Sequence, residues 1–129
     1  MNLNQHIEKA LGDIVDGNIW PMVCPLEDKP TEFITYDHED HSDDFGDNEE
    51  EAWVYEVEVN WYKLGAGSRT KQVALKPANF LQARERIRTA LKAAGFIVSK
   101  ILYNHESDTG YTHLTFLAEI EEEDYEDED

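Results

Sequence analysis

The stretch that decides the fold runs from Trp53 to Leu64 and reads WVYEVEVNWYKL. Its residues alternate between two sets: one is Trp53, Tyr55, Val57, Val59 and Trp61, and the other is Glu56, Glu58 and Asn60. Successive side chains of a β-strand point to opposite faces of a sheet, so the alternation predicts a strand with one buried face and one wet face. We therefore expect a sheet that other elements cover on one side only.

The segments before this strand predict a helix and one further strand. Apolar residues recur at helical spacing from Leu3 to Val15, and Gly17 suits the end of an amphipathic helix. The segment from Trp20 to Pro30 contains three prolines, which disfavour both a helix and a central strand. The run from Phe33 to Tyr36 is rich in β-prone residues and predicts the first strand.

The segments after it predict a second helix and two more strands. Pro77 suits the first turn of a helix that extends to Ala94, and Gly95 suits its end. The runs from Phe96 to Tyr103 and from Tyr111 to Ile120 predict a closing pair of strands. The predicted order is α-β-β-α-β-β. This order indicates the α+β class, with an antiparallel or mixed four-stranded sheet and two helices packed on one face.

The net charge of −18 is confined to two stretches of the chain. Residues 37–51 include nine acidic residues and no Lys or Arg, and residues 119–129 include nine more, again without Lys or Arg. Elsewhere the remaining 11 acidic residues balance the 11 Lys and Arg. Charge runs of this kind do not bury enough apolar surface to fold. We expect a single α+β domain over residues 1–120, with an acidic loop at 37–51 and an acidic disordered tail at 121–129.

The acidic loop contains the only approach to a metal-site pattern that we find. A calcium-binding EF-hand register that starts at Asp40 places Ser42, Asp44 and Glu51 at ligand positions. Phe45, however, falls where that loop requires glycine. A solvated acidic loop is the favoured interpretation, with weak and unselective binding of Ca²⁺ or Mg²⁺ left open.

No arrangement of residues in the sequence is typical of an active site. Glu56 and Glu58 share one face of a strand, but no nucleophile or orienting histidine lies near them in the sequence, and a wet strand face explains them. His6, His105 and His113 are scattered. We expect no enzymatic activity, no catalytic residue, no cofactor and no specific metal site.

Basic residues concentrate on the second predicted helix, at Arg84, Arg86, Arg88 and Lys92. A basic helix can bind nucleic acid, but the acidic segments repel phosphates over a Debye length of about 10 Å. We expect no direct binding to nucleic acid, and no membrane span, because no apolar run approaches ~18 residues.

Two interpretations of the basic helix remain: a solvated face, or a surface that meets an acidic segment of a neighbouring subunit. On the second interpretation, aromatic residues beyond the needs of a small core also belong to the interface, where they are commonly enriched. The predicted subunit-interface residues are Arg84, Arg88, Trp53 and Trp61.

The layout as a whole resembles a known family. An N-terminal helix, a proline-spaced segment and the run Phe33-Ile34-Thr35-Tyr36-Asp37 are followed by a strand like Trp53 to Tyr62, a helix like Pro77 to Ala94 and a hairpin like Ile97 to Ile120. This order resembles bacteriophage tail terminator proteins, also called tail completion or minor tail proteins, over about the first 120 residues.

The resemblance implies a structural protein of the virion. Such proteins form a ring, commonly a hexamer, that caps the growing tail tube and then joins it to the head. The implied partners are further copies of the chain, the tail tube protein and the head completion protein. The implied location is the virion tail, and the host cytoplasm during assembly. The family has no catalytic motif, so no functional residue is carried over from it.

Two other functions remain as alternatives. An acidic protein can mimic DNA and block a DNA-binding enzyme, although such mimics spread carboxylates over helices and strands, whereas this sequence concentrates them in a predicted loop and tail. A small-molecule enzyme is a more distant third.

Overall fold

Within the described part of the chain, the fold is of the α+β class, with a five-stranded mixed sheet and two α-helices. The computed structural model describes residues 2–42, 53–66 and 76–121. The elements in chain order are α1 (Leu3–Leu11), a 3₁₀ turn (Gly12–Val15), β1 (Ile19–Pro21), β2 (Glu32–Ser42), β3 (Trp53–Leu64), α2 (Leu81–Ala93), β4 (Ile97–His105) and β5 (Tyr111–Glu121).

The sheet has the strand order β1-β2-β3-β5-β4. β1 runs parallel to β2, and all the other neighbouring strands are antiparallel. The prediction of four strands is therefore wrong by one, because β1, which includes the first two residues of the proline-containing segment, was not predicted. Pro21 is tolerated there because β1 is an edge strand, where one backbone N–H is dispensable. The observed order is α-β-β-β-α-β-β.

One face of the sheet packs against both helices, as the alternation in β3 predicts. Val57, Val59 and Trp61 are buried on this covered face, and Phe116 of β5 lies directly opposite Val59. The helices complete the core with Leu3, Ile7 and Leu11 of α1 and with Ile87 and Leu91 of α2. Burial of such side chains contributes about 1.5–3 kcal/mol each and is the main force that holds this layer together.

The strand β2 continues much further than the sequence predicts. Residues 37–42, the first part of the predicted acidic loop, pair with β3 from Asp37↔Glu58 to Ser42↔Trp53. The long partner strand provides a continuous ladder of backbone hydrogen bonds, which outweighs the low strand propensity of acidic residues. An EF-hand loop from Asp40 is excluded, since residues 40–42 are part of a strand. Residues 43–51 of the predicted loop lie outside the described residues.

The boundary of the predicted acidic tail also shifts slightly. β5 extends to Glu121, which pairs with Val54, so the strand takes one residue from the predicted tail. Residues 122–129, the rest of that tail, lie outside the described residues.

Local signals set the ends of both helices. The side chain of Asn2 accepts a hydrogen bond from the Gln5 backbone N–H at 2.8 Å and caps α1. α2 begins at Leu81, not at Pro77; the approach to it is fixed by the Ala78 N–H, which donates to Thr112 Oγ1 at 2.8 Å. Gly95, with φ of 98°, follows the end of α2 as predicted. Among the described residues, neither helix is long and apolar enough to cross a membrane.

Candidate docking surfaces

The face of the sheet opposite the helices, which we call the open face, is divided into two chemically different ends. Near the start of β2 it is aromatic, with Phe33, Tyr62, Tyr111 and His113. Towards the end of β2 it carries five carboxylates from three neighbouring strands: Asp37, Glu39, Glu56, Glu58 and Glu119. We call these two regions the aromatic end and the acidic end.

The aromatic end is a stack of rings across three strands. The ring centroids of Phe33 and Tyr62 are 4.7 Å apart, and those of Tyr62 and His113 are 4.2 Å apart, both with nearly parallel planes. Tyr111 meets Phe33 edge-on at 5.7 Å, and its hydroxyl donates to the Pro30 carbonyl oxygen at 2.8 Å. Such offset and edge-to-face pairs add about 0.5–1.5 kcal/mol each beyond their buried area.

The segment that follows β1 lies beside these rings and is exposed. Met22 and Val23 expose 76% and 65% of their surface, whereas the neighbouring Cys24 is buried. These residues border a cavity of about 250 Å³ that also reaches Tyr62. The segment after β1 thus partly covers the aromatic end. Burial of the Tyr62 side chain raises the pKa of its hydroxyl.

His113 links the aromatic end to the acidic end through Asn60. Asn60 Oδ1 accepts hydrogen bonds from His113 Nε2 and Thr115 Oγ1, both at 2.8 Å. An amide oxygen only accepts, so His113 carries its proton on Nε2. Nδ1 faces a carboxylate oxygen of Glu106 at 3.9 Å. Burial lowers the pKa of His113 below its ordinary value, partly offset by the carboxylates of Glu106 and Glu58.

The acidic end places like charges directly opposite one another. Asp37 pairs with Glu58 across β2 and β3, and Glu56 is flanked by Glu39 on one side and Glu119 on the other. Directly opposed like charges on one sheet face destabilise the sheet. Burial, with Glu58 as a second cause, raises the pKa of Asp37 above its ordinary value. The acidic end of the open face is therefore a concentrated negative surface.

A second surface is the groove between α2 and the edge strand β4, which we call the helix groove. Its floor is apolar, with the rings of Phe80 and Tyr103 at 4.7 Å and Ile101 beside them. Arg84 and Arg88 stand at its rim with side chains 38% and 59% exposed, and the space between measures about 460 Å³.

Glu85 lies between the two arginines on the rim. Its carboxylate is 3.2 Å from Arg84 Nε and 3.9 Å from Arg88 Nε. A guanidinium has five N–H donors, so each arginine keeps donors for a further carboxylate. The helix groove therefore combines an apolar floor with cationic groups at the rim.

The structure brings together only some of the predicted subunit-interface residues. Arg84 and Arg88 are adjacent on the helix groove, and Trp53 is 43% exposed at the start of β3. Trp61 is fully buried in the core, and its Nε1 donates to Glu32 Oε2 at 2.8 Å. Its prediction as an interface residue is wrong, because it belongs to the same buried face as Val57 and Val59.

Two features of these surfaces were absent from the sequence prediction. The acidic end needs the register of β2 and β5 against β3, which places Asp37 and Glu119 beside the glutamates of β3. The helix groove needs the contact between Phe80 and Tyr103, which are far apart in the sequence. The only sequence feature that pointed to the acidic end was the alternation of Glu56 and Glu58 with valines, which places both glutamates on one face of β3.

No metal centre is formed within the described ranges. Among residues 2–42, 53–66 and 76–121, no three His, Cys, Asp or Glu side chains are grouped so that they could hold a metal ion. The buried side-chain nitrogen and oxygen atoms of the same residues all have hydrogen-bond partners.

Comparisons with other proteins bear on the fold. The chain matches no protein-family model and no curated protein. Among solved structures it is similar to a chain of the "Virion of native gene transfer agent (GTA) particle", with 9% sequence identity and a TM-score of 0.60. The likeness covers 92% of this chain and 92% of the other. At so low an identity it establishes a common fold over nearly the whole chain, and a fold alone does not fix a function.

Proposed function

We propose that this protein is a structural component of a phage or prophage virion, specifically a tail terminator or tail completion protein. In this role it forms a ring that caps the tail tube and joins it to the head, and it acts by assembly rather than by catalysis. The observation that carries the proposal is the likeness of fold, over 92% of both chains, to a chain of a virion. The support is an analogy of fold, and it agrees with the resemblance of the sequence to tail terminators.

The distribution of charge supports assembly into a ring. The acidic end lies on the open face of the sheet, while Arg84 and Arg88 lie on the helix groove, next to the other face. Two different surfaces of opposite charge favour head-to-tail contacts, and repeated head-to-tail contacts close into a ring when the rotation allows it. Partners in this proposal are further copies of the chain, the tail tube protein and the head completion protein.

The mass of the protein in solution tests the ring. We expect light scattering and electron microscopy of the purified chain, alone or with its tail tube protein, to show a closed ring with a fixed number of subunits. Salt should weaken the ring only in part, because exposed ion pairs are screened whereas apolar contacts are not. A chain that remains monomeric at high concentration and does not bind tail tubes would exclude the terminator role.

A DNA mimic is the second candidate, and one structural observation favours it. The sequence placed Asp37 and Glu39 in an acidic loop, but both lie on β2 beside Glu56, Glu58 and Glu119, so the acidic end is an array of five carboxylates on the sheet. A rigid array of carboxylates on strands is better suited than a loop to imitate phosphates.

Competition with duplex DNA separates the two candidates. A mimic should bind a DNA-handling enzyme of the host and be displaced by duplex, with a steep dependence on salt. A terminator should bind tube or head proteins and leave such enzymes unaffected. Charge reversal of Glu56 and Glu58 should abolish binding to the enzyme in the first case. In the second it should weaken the ring only in part, because apolar contacts supply most of the affinity between subunits.

A further inference from the structure

The helix groove has an apolar floor that the described chain covers only in part. Tyr103 is 48% exposed although its ring lies against Phe80 at 4.7 Å. Arg84 and Arg88 flank this floor, and each contacts Glu85 through Nε. A ligand that matches the groove therefore needs one aromatic or apolar group for the floor and carboxylates on either side of it for the arginines.

One segment of this chain has that composition. Residues 122–129 read EEDYEDED, which is seven acidic residues around the single tyrosine Tyr125. An aromatic ring can pack on the Phe80 and Tyr103 rings, and the flanking carboxylates can pair with the arginines. Charge and the presence of an aromatic side chain thus both fit the same short segment.

The geometry of β5 directs this segment to a different copy of the chain. Leu114 lies at the groove and Glu121 ends the strand, and seven residues of strand cover about 23 Å. From Glu121 to Tyr125 a fully extended chain spans only about 14 Å. The tyrosine would therefore fall short of the groove of its own subunit even if the segment turned back along β5. A second subunit offers the groove without this detour.

We infer that the acidic segment 122–129 of one subunit docks in the helix groove of the next, with Tyr125 against Phe80 and Tyr103 and its flanking carboxylates on Arg84 and Arg88. The inference rests on the proposed ring and names its subunit contact. Donor and acceptor are different surfaces, so every subunit gives one segment and receives one, and the contact repeats around a closed ring.

A peptide-binding experiment tests the contact without requiring a ring. The probe is a fluorescent peptide of residues 119–129, and the receptor is the full-length Tyr125→Ala variant, whose own segment lacks the aromatic anchor. We expect saturable binding in fluorescence anisotropy. The receptor that also carries Arg84→Gln and Arg88→Gln should bind at least about tenfold more weakly, because two charge-assisted contacts are lost.

The chain provides a matched control for these substitutions. Arg86→Gln with Lys92→Gln removes the same charge from exposed positions of the same helix outside the groove lining. This control receptor should bind the peptide within about twofold of the Tyr125→Ala receptor, since distant exposed charges are largely screened. A peptide with Phe at position 125 should bind as well as the original peptide, and one with Ala should not. The inference would be overturned if the Arg84→Gln, Arg88→Gln receptor and the Arg86→Gln, Lys92→Gln receptor lost the same affinity. It would also be overturned if the peptide with Ala at position 125 bound as well as the original peptide.

Dilution distinguishes docking between subunits from docking within one. At nanomolar receptor concentration, wild-type chain and Tyr125→Ala should bind the peptide equally, because segments of separate copies no longer compete. Weaker binding to the dilute wild-type chain would show that its own segment occupies the groove, and would overturn the contact between subunits. Light scattering tests the proposed function separately. A wild-type chain that forms no ring would contradict the proposed function, whatever the result of the peptide experiment.

Discussion

At the scale of single residues, Asp37 lowers the stability of the folded chain. It lies on β2 directly opposite Glu58 of β3, and both carboxylates belong to the acidic end. Burial and the charge of Glu58 raise the pKa of Asp37, which means that the folded chain disfavours its ionised form. The stability that this residue takes away at neutral pH is consistent with a surface that is kept for a partner.

Neutralising this residue should therefore stabilise the isolated chain. We expect Asp37→Asn to raise the free energy of unfolding at pH 7 by about 0.5 kcal/mol. The value is modest because the side chain is only partly desolvated and stays largely exposed to solvent. Because the pKa of Asp37 is raised in the folded state, the penalty is present above that pKa and disappears below the ordinary value of 3.8. Thermal unfolding at several pH values should show the gain shrinking in acid.

Asp28→Asn is the control, since Asp28 lies in the exposed segment between β1 and β2. The Asp28→Asn substitution should leave the unfolding temperature unchanged at every pH tested. A loss of stability in Asp37→Asn at pH 7 would contradict the repulsion between β2 and β3.

His113 is the second residue whose titration reports its surroundings. Burial lowers its pKa, and Glu106 partly opposes this effect. We expect nitrogen NMR to find the Nε2–H tautomer and a pKa below 6.5. Glu106→Gln should lower that pKa further, because it removes the carboxylate that favours the imidazolium.

The lowered pKa of His113 also makes the stability of the folded chain depend on pH. The unfolded chain binds the His113 proton more tightly, so this residue's contribution to stability is complete above its ordinary pKa and falls as the pH drops below it. A measured pKa above the ordinary value would show that Glu106, and not burial, controls the ring.

At the scale of elements, the approach from β3 to α2 depends on a close contact between backbones. Gly65 follows β3, and its N–H donates to the Gly110 carbonyl oxygen at 2.9 Å. A Cβ atom at this position would lie 1.8 Å from the carbonyl oxygen of Lys76. We expect Gly65→Ala to destabilise the chain by roughly 1–3 kcal/mol in chemical denaturation, because a backbone atom must move.

Gly12→Ala is the opposite case and serves as the control. Gly12 has φ of −58°, and an added Cβ would meet Ile19 at an ordinary 3.9 Å. This substitution should be neutral or raise stability by up to about 1 kcal/mol, since alanine restricts the unfolded chain. Equal effects of the two substitutions would show that the close contact at Gly65 is not formed.

The elements also show which parts of the fold a sequence can reveal. β3 was predicted with its observed bounds because alternation over 12 residues identifies both a strand and its buried face. β1 was missed because three residues contain no periodicity, and only pairing with β2 makes them a strand. The extension of β2 was missed for the same reason, since acidic residues predict a loop until a neighbouring strand offers its backbone. Local patterns predict elements, but pairing decides where they end.

The candidate surfaces likewise depend partly on local sequence patterns and partly on contacts between distant elements. Arg84 and Arg88 were predicted as interface residues because basic residues concentrate on the second helix, and both line the helix groove. Trp61 was assigned to an interface because of its residue type, although its place in the alternation already put it with Val57 and Val59 in the core. The groove floor and the acidic end depend on contacts across the sheet, which local spacing does not contain.

At the scale of the whole molecule, we expect the acidic segment 122–129 to be separable from the folded body. The covered face holds the core, and the last core residue along β5 is Ile120. The segment 122–129 adds seven acidic residues and only Tyr125 as an apolar group. Its backbone ordering cost of about 1–2 kcal/mol per residue exceeds what one tyrosine can offset within its own subunit. The segment therefore contributes little to the stability of the isolated domain.

Truncation after Glu121 should accordingly affect assembly and not folding. We expect circular dichroism to show an unfolding temperature within about 2 °C of the full chain, or higher, because seven like charges are removed next to the acidic end. Light scattering at the same concentrations should show weaker self-association, since each copy has lost the segment that we place in its neighbour's helix groove. Replacing residues 122–129 by an equally long Gly/Ser segment keeps the length of the chain and should give the same two results. A large fall in the unfolding temperature would instead make residues 122–129 part of the domain itself, and unchanged self-association would remove them from the subunit contact.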